Sequence, residues 1–222
     1  MQVNTGGTLD LNGRNEGFDV LSGTGTITNT LTSSTSTLTL GESGASSSLT
    51  ATLQNGAGVT ALEKSGTGTL TLTASNSYSG GTTITGGTLS IASNSYLGNA
   101  ATGVTFSGGT LKTTGSMGSN RPITLNSGGG TMNISSNLFS NAATLGGNIT
   151  GNGALTMTGP GVLYLAGSNS YTGGTNLNEG SVYLNSVGAL GTSGTISFNG
   201  GDLNFTAANT TDYSSRFSSA QN

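Results

Sequence analysis

The 222-residue chain has no histidine, cysteine or tryptophan, only two prolines, and charged residues at just 6% of its length. Without His or Cys it lacks the side chains for haem ligation, thiol chemistry, Ser-His-Asp triads and the usual zinc sites. Its five Lys and Arg residues are too few to follow a phosphate backbone. No apolar run reaches the roughly 18 residues of a membrane-spanning helix. We therefore expect no catalytic residues, cofactor, metal or nucleic-acid partner, and no membrane insertion of this segment.

Four small residues, Gly, Thr, Ser and Asn, make up 60% of the chain. All four are poor helix formers, so a helical fold is disfavoured. Leu, Ile, Val and Phe together supply about a fifth of the residues, which is close to the range of disordered proteins. Disorder usually combines low hydrophobicity with high net charge, whereas the net charge here is only −3. The arrangement of the apolar residues decides between the two interpretations.

Apolar residues occur in short bursts in which two of them flank one small polar residue. This period of two predicts strands of three to five residues with one buried face. Thr between the apolar positions suits the exposed face of a strand, and Gly and Asn clusters at the burst ends indicate turns. Examples of these bursts are Leu38/Leu40, Leu70/Leu72, Leu89/Ile91, Val104/Phe106, Ile123/Leu125, Leu163/Leu165, Val182/Leu184 and Ile196/Phe198.

The bursts recur at a regular spacing along the chain. Leu70 precedes Leu89 by 19 residues, and Leu163 precedes Val182 by the same number. Short strands repeated about every 20 residues are typical of a β-solenoid, in which each coil stacks on the one before. A β-sandwich would need fewer and longer strands joined by hairpin turns. The sequence therefore predicts an all-β parallel β-helix with coils of about 19–22 residues.

A longer repeat lies on top of the coil spacing. Residues 66–91 and 159–184 align without a gap at an offset of 93, and the match continues to Phe106 and Phe198 after the loss of one residue. This alignment indicates an internal duplication, with units 66–158 and 159–222. We expect residues 1–222 to form a single continuous solenoid.

The best-matched part of the duplication is a turn-like block that reads NSYSGGT at residues 76–82 and NSYTGGT at 169–175. These blocks resemble the autotransporter-associated β-strand repeat of bacterial passenger domains and large surface adhesins. The resemblance implies a right-handed parallel β-helix, secretion to the bacterial cell surface across the outer membrane, and no catalytic residues. The structural motif residues that carry it are Asn76, Tyr78, Gly80, Gly81, Asn169, Tyr171, Gly173 and Gly174.

Two tyrosines are the candidates for a binding role. Tyr78 and Tyr171 are flanked by Asn and could stack on a sugar ring at the surface. The alternative is that each ring packs over a turn while the following Gly pair bends the chain beneath it. The recurrence of the motif at a structural period favours this alternative.

The carboxylates are scattered and suggest no active site. A glycosidase needs two of them about 5–10 Å apart across a cleft, and a calcium-binding solenoid needs a repeated Asp that this chain lacks. We expect Glu63 and Lys64 to form a solvated pair. The full set is Asp10, Glu16, Asp19, Glu42, Glu63, Glu179, Asp202 and Asp212.

The sequence therefore predicts a non-catalytic stalk or spacer segment of a secreted autotransporter-type surface protein. An adhesin surface that binds glycans, a host surface or its own kind is the alternative. Ice binding by a threonine face is a remote one, because the threonine positions vary between coils. With neither a signal peptide nor a translocator, we expect the chain to be part of a longer passenger. Its partners would be the neighbouring coils of that passenger, with self-association end to end or side by side through open coil edges.

Overall fold

The computed structural model describes residues 1–218 of the chain, which form short β-strands and three single-turn 3₁₀ helices. The 3₁₀ turns span Asn94–Leu97, Phe139–Asn141 and Ser214–Arg216. The strands are β1 Gln2–Val3, β2 Thr8–Asp10, β3 Glu16–Phe18, β4 Ser22–Gly23, β5 Thr26–Thr28, β6 Thr35–Leu40, β7 Ser47–Leu49, β8 Thr52–Leu53, β9 Val59–Lys64, β10 Thr69–Leu72, β11 Thr82–Ile84, β12 Thr88–Ile91, β13 Val104–Phe106, β14 Thr110–Thr113, β15 Met117–Ser119, β16 Ile123–Leu125, β17 Gly130–Ile134, β18 Ala143–Leu145, β19 Ile149–Gly151, β20 Leu155–Thr158, β21 Val162–Leu165, β22 Thr175–Leu177, β23 Ser181–Leu184, β24 Ile196–Phe198 and β25 Asp202–Phe205.

Strands that follow one another in a coil belong to different sheets, and each pairs in parallel with a strand of the next coil. The result is a β-solenoid of about ten turns, as predicted. With a strand spacing of about 4.8 Å, ten turns make a rod about 45–50 Å long. The sheet orders are β24-β22-β20-β17-β14-β12-β10-β7, β19-β16-β13-β11-β9-β6-β3, β15-β18-β21-β23-β25, β2-β5-β8 and β1-β4. Within residues 1–218, no helix is long and apolar enough to cross a bilayer.

Coil length varies more than the sequence spacing indicated. Offsets between paired residues are 19–22 for most strand pairs but range from 18 to 26. Among the longest, Thr26 pairs with Thr52, and Met117 pairs with Ala143, both at an offset of 26. The second of these long coils holds the 3₁₀ turn at Phe139–Asn141, where Leu138 and Phe139 are exposed. Its extra residues bulge outward and leave the core unchanged.

The interior consists of apolar side chains stacked in columns along the solenoid axis. Parallel pairing in register places each apolar residue above an apolar residue of the previous coil. Each fully buried Leu contributes about 2 kcal/mol relative to an exposed one. One column of the eight-stranded sheet contains Leu70, Leu89, Leu111, Met132, Met157 and Leu177, all buried.

The two motif copies have the same strands but occupy different faces. Strands β10, β11 and β12 match β21, β22 and β23 at an offset of 93, with identical bounds. The first copy places β10 and β12 in the eight-stranded sheet and β11 in the seven-stranded sheet. The second copy places β21 and β23 in the five-stranded sheet and β22 in the eight-stranded sheet. Between them, β15 and β18 start the five-stranded sheet, so the repeat moves one face around the rod.

Lys64 interrupts an apolar column, and here the expectation of a solvated Glu63–Lys64 pair is wrong. Lys64 stacks between Leu40 and Ile84 and is 0% exposed. Because side chains alternate along β9, Glu63 faces outward, where its Oε1 accepts a hydrogen bond from Thr85 (3.2 Å).

The Lys64 ammonium is held by main-chain oxygens at a corner of the coil. Its Nζ donates to the carbonyls of Ser65, Gly66 (3.1 Å) and Gly86 (3.4 Å). Burial lowers the pKa of Lys64 from its ordinary value of 10.5. The charged form is therefore less favourable inside the solenoid than in the unfolded chain.

Replacing Lys64 by Met tests this cost. Met157 occupies the equivalent position of the second copy, so we expect Lys64→Met to fold and to raise the free energy of unfolding at pH 7 by on the order of 1 kcal/mol. At pH values between the lowered pKa of Lys64 in the folded state and 10.5, the Lys64 side chain is protonated in the unfolded wild type but not in the folded one. Wild-type stability should therefore rise with pH in that window, and the difference from the variant should shrink.

Denaturant unfolding at several pH values measures both effects. Lys112→Met, on the outer side of β14, is the matched control for removal of a lysine and should change stability at pH 7 by less than about 0.5 kcal/mol. A Lys64→Met protein less stable than wild type at pH 7 would show that the carbonyl hydrogen bonds outweigh the burial of the charge.

Candidate functional site

The residues that carry the family resemblance lie in two equivalent stretches, 76–81 and 169–174, which we call the Asn-Tyr turns. Each joins strands of two different sheets without forming a strand itself. Each also lies over the last strand of a sheet from the preceding coils, where single backbone bonds continue, from Ser77 to the Leu53 carbonyl (2.9 Å) and from Ser170 to the Ile149 carbonyl (2.8 Å), but no further strand forms. The neighbouring backbone N–H groups of Leu53 and Ile149 are satisfied by side chains instead.

Asn76 connects three successive coils. Its Oδ1 accepts from the backbone N of Leu53 (2.8 Å), and its Nδ2 donates to the carbonyl of Tyr96 (2.6 Å). Leu53 ends β8, the last strand of the three-stranded sheet. The carboxamide thus replaces a strand residue in the ladder.

Asn169 makes the same two bonds on another face. Its Oδ1 accepts from the backbone N of Ile149 (2.8 Å), and its Nδ2 donates to the carbonyl of Ala189 (2.6 Å). Ile149 begins β19, the last strand of the seven-stranded sheet. In both copies the Asn-Tyr turn therefore terminates one sheet and supports the coil that follows.

Tyr78 and Tyr171 point into the solenoid, not out of it. Both are 0% exposed, and their hydroxyls share hydrogen bonds of 2.7 Å with Thr82 and Thr175. Burial raises the pKa of Tyr78 to about 12 and that of Tyr171 further still, against smaller opposing effects of the threonine bonds. Neither ring has a face free for a sugar, so the candidate surface-binding role does not fit the folded protein. The alternative, packing at the turn, matches these contacts.

The paired glycines make the turn sterically feasible. Gly81 and Gly174 have φ of 83° and 88°, a region that side chains with a Cβ rarely adopt. A Cβ on Gly80 would lie 2.8 Å from the Thr60 carbonyl oxygen. Other residue types would therefore force the turn away from the previous coil.

A second pair of glycines, Gly98 and Gly191, closes the next coil over the tyrosines. A Cβ at Gly98 would lie 2.5 Å from the carbonyl oxygen of Tyr78, and one at Gly191 would lie 2.3 Å from that of Tyr171. Both glycines also have positive φ, 73° and 65°. Leu97-Gly98 and Leu190-Gly191, which are equivalent at the offset of 93, thus place backbone directly against the buried tyrosines.

Sequence reasoning missed Arg121, which holds the coil above Tyr78. Its guanidinium donates to the carbonyls of Gly98 (2.7 Å), Thr102 (3.0 Å) and Asn99, and to both the side chain and the carbonyl of Asn94. Arg121 is only 2% exposed. One side chain therefore bonds to four carbonyls of the 3₁₀ turn and the loop that follows it.

Arg216 has the same role in the second copy. It donates to the carbonyls of Leu190 (2.8 Å), Gly191 (3.0 Å), Ser193 (2.7 Å) and Gly194 (2.9 Å). The signal in the sequence was a Ser-x-Arg triplet at 119–121 and 214–216, in a chain with few basic residues. The spacing of 95, rather than 93, concealed it.

The carboxylates are dispersed along the rod. Among residues 1–218, no three of them converge as metal ligands. Hydrogen bonds from Thr30 and the Asn12 amide lower the pKa of Asp10, and bonds from Ser214 lower that of Asp212. These two carboxylates therefore cap turns, which is a structural task.

The threonines are more regular in space than the sequence indicated. One outward column of the eight-stranded sheet contains Thr69, Thr88, Thr110, Thr131 and Thr156 in direct register. The column beside it contains Thr71, Ser90, Lys112, Asn133 and Thr158. The sheet thus presents one continuous threonine row next to a mixed one that includes a charge.

Two segments match the passenger-associated-transport-repeat family, residues 62–91 and 155–184. Each of these two segments is similar to one passenger-associated-transport repeat. The matches begin in β9 and at β20 and end with β12 and β23, so each repeat contains one Asn-Tyr turn and the strands on either side of it.

One curated relative supports the same assignment. The chain is 36% identical over 135 residues to the adhesin BmaC autotransporter of Brucella suis biovar 1 (strain 1330). The match covers 60% of this chain and 4% of the length of the relative. No solved structure matches the chain.

Substitution of Gly191 tests the close contact over Tyr171. We expect Gly191→Ala to lower the free energy of unfolding by about 2–4 kcal/mol, because the positive φ and the carbonyl contact are both unfavourable for a Cβ. Gly118→Ala is the control, since a Cβ at this exposed strand position meets nothing within 4 Å. It should be neutral or stabilise by about 0.5 kcal/mol. Equal midpoints in chemical denaturation would contradict the proposed contact.

Arg121→Lys tests whether stability depends on the ability of the guanidinium to donate to several carbonyls at once. A single ammonium cannot reach all of the acceptors, so we expect a loss of about 2–4 kcal/mol in stability. Arg14→Lys, at an exposed position, should change stability by less than about 0.5 kcal/mol. Hydrogen exchange should also become faster at residues 94–102 in the Arg121 variant alone. Protection there that matches wild type would argue against the role of Arg121.

Proposed function

We propose that this chain is a non-catalytic stalk segment of a secreted bacterial autotransporter-type protein. The observation that carries the proposal is the inward orientation of the repeat-defining residues. The Asn, Tyr and Gly residues of both repeats bond or pack against neighbouring coils. The Asn and Tyr side chains make their hydrogen bonds within the solenoid, and the Tyr rings are fully buried. Such a motif serves the formation and rigidity of the solenoid rather than the binding of a ligand.

The proposed stalk has a physical route to its function. Each coil contacts mainly its neighbours, so a solenoid of this kind can fold coil by coil as the chain emerges on the outer side of a membrane. The Asn-Tyr turns support the next coil at the points where a sheet ends. We infer that they keep coil-by-coil folding continuous across the change of face, and that the segment holds other parts of a longer passenger away from the cell.

An adhesive surface is the second candidate function. It is favoured by the name of the Brucella suis relative, an adhesin autotransporter, although the shared part covers a small fraction of that protein. Ice binding is a weaker candidate, because the continuous threonine row has a mixed row with Lys112 beside it.

Surface display tests the stalk. The chain, with an N-terminal epitope tag, is fused to a heterologous autotransporter translocator in a Gram-negative host. Wild type should reach the surface as a protease-resistant rod, whereas Tyr171→Ala should lower the displayed, resistant fraction several-fold, because it leaves a cavity beneath the Asn-Tyr turn and an unpaired Thr175 at the start of β22.

Tyr183→Ala is the matched control, since this tyrosine lies on the outer side of β23. It should be displayed like wild type. Equal display and protease resistance of the Tyr171 variant and wild type would contradict the role of the repeat in passenger folding. Adhesion of the same cells, compared with cells that carry the translocator alone, tests the adhesive candidate separately.

A further inference from the structure

The second copy carries an outward aromatic pair, Tyr164 on β21 and Tyr183 on β23. The two residues are in direct register on the five-stranded sheet. Their ring centroids are 5.1 Å apart with planes at 35°, and both side chains are partly exposed. This is a different pair from the buried tyrosines of the Asn-Tyr turns.

The solenoid does not require aromatic residues at these positions. In the first copy the equivalent residues, at an offset of 93, are Thr71 and Ser90, which are likewise in register. Strand bounds and pairing are the same in both copies. The tyrosine pair therefore distinguishes the outer face of the second copy without any need from the fold.

Hydrogen-bonding side chains border the pair on both sides. Thr144 is in register next to Tyr164, and Asn204 is in register next to Tyr183. Ser181 and Asp202 lie one outward position earlier on β23 and β25, where the Ser181 Oγ donates to Asp202 Oδ2 (3.4 Å). We call these six residues, Thr144, Tyr164, Ser181, Tyr183, Asp202 and Asn204, the tyrosine face.

We propose that the tyrosine face is a binding site for an uncharged glycan. Sugar rings have apolar C–H faces that pack on aromatic rings, and hydroxyl rims that bond to amides, hydroxyls and carboxylates. The face supplies both kinds of group. It contains an acid and no Lys or Arg, whereas the equivalent of Asn204 in the first copy is Lys112. This charge pattern disfavours sulfated or sialylated glycans.

The binding site is additional to the stalk role, because it uses only side chains on the outer surface. Adjacent strands are about 4.8 Å apart along the rod, so the four strands of the tyrosine face span about 15 Å. A glycan of three or four residues would cover this length. We therefore expect oligosaccharides to bind more tightly than monosaccharides.

The test is a titration of the full chain, with ¹³C-labelled tyrosine rings, followed by NMR. The probes are cellohexaose, chitohexaose, maltohexaose and mannohexaose, with a heparin hexasaccharide as the anionic comparison. At least one neutral hexasaccharide should shift the Tyr164 and Tyr183 ring signals saturably and leave those of buried Tyr78 and Tyr171 in place.

The double variant Tyr164→Thr/Tyr183→Ser installs residue types that the first copy tolerates at these positions. It should fold, as the unchanged signals of Tyr78 and Tyr171 would report, and bind at least about tenfold more weakly. Thr71→Ala/Ser90→Ala, on the equivalent face of the first copy, is the matched control and should bind like wild type.

Three results would overturn the proposal. One is the absence of saturable shifts with all four neutral hexasaccharides at millimolar concentration. Another is an affinity of the double tyrosine variant within about twofold of wild type. The third is binding of the heparin hexasaccharide as tight as that of the best neutral probe. Surface display of the rod, which tests the stalk, does not depend on any of these outcomes.

Discussion

Parallel pairing in register is the constraint on which the rest of this structure depends. Because each strand bonds to the coil above and the coil below, every side chain lies over the residue one coil earlier. Apolar residues therefore form continuous interior columns, and like charges would be stacked at close range along the outside. A chain with 6% charged residues, and with Thr, Ser and Asn between its apolar positions, meets this constraint. Lys64 is the exception, and main-chain carbonyls surround its ammonium.

Strand pairing ends at β8 and at β19, and the two Asn-Tyr turns lie over these two sheet ends. Asn76 and Asn169 replace missing strand residues with carboxamides that bond both neighbouring coils. Arg121 and Arg216 bond to carbonyls of the loops that follow. The repeat can thus be understood as a junction that ends one sheet, supports the next coil and allows the strands to continue one face further round. This interpretation explains why its residues are buried while the outer faces differ between copies.

Much of this architecture was predictable because it depends on local periods. Alternation at Leu70/Leu72 gave the strands, and the offset of 93 gave the equivalence of the two motif copies, which the strand bounds match. The motif glycines were also recognisable, since positive φ and close backbone contacts restrict the residue types. The orientation of Tyr78 and Tyr171 was harder, because a tyrosine beside Asn and Gly suits either a surface or a turn. Arg121 was missed, since its partners are 19 to 27 residues away and most of them are backbone carbonyls, which have no sequence signature.

The sequence by itself determined the class of fold, the approximate coil length and the resemblance of two segments to a passenger-associated repeat, because spacing and composition act through every coil alike. Only the tertiary structure decided the side on which each coil presents its residues. The longer coils between β14 and β20 transfer the second copy to another face, and a change of face cannot be inferred from a repeat that keeps the same strand lengths. It also decided which tyrosines are inside and which are outside. Tyr164 and Tyr183 occupy outward positions of strands, whereas Tyr78 and Tyr171 lie in turns whose inward direction is fixed only when neighbouring coils stack.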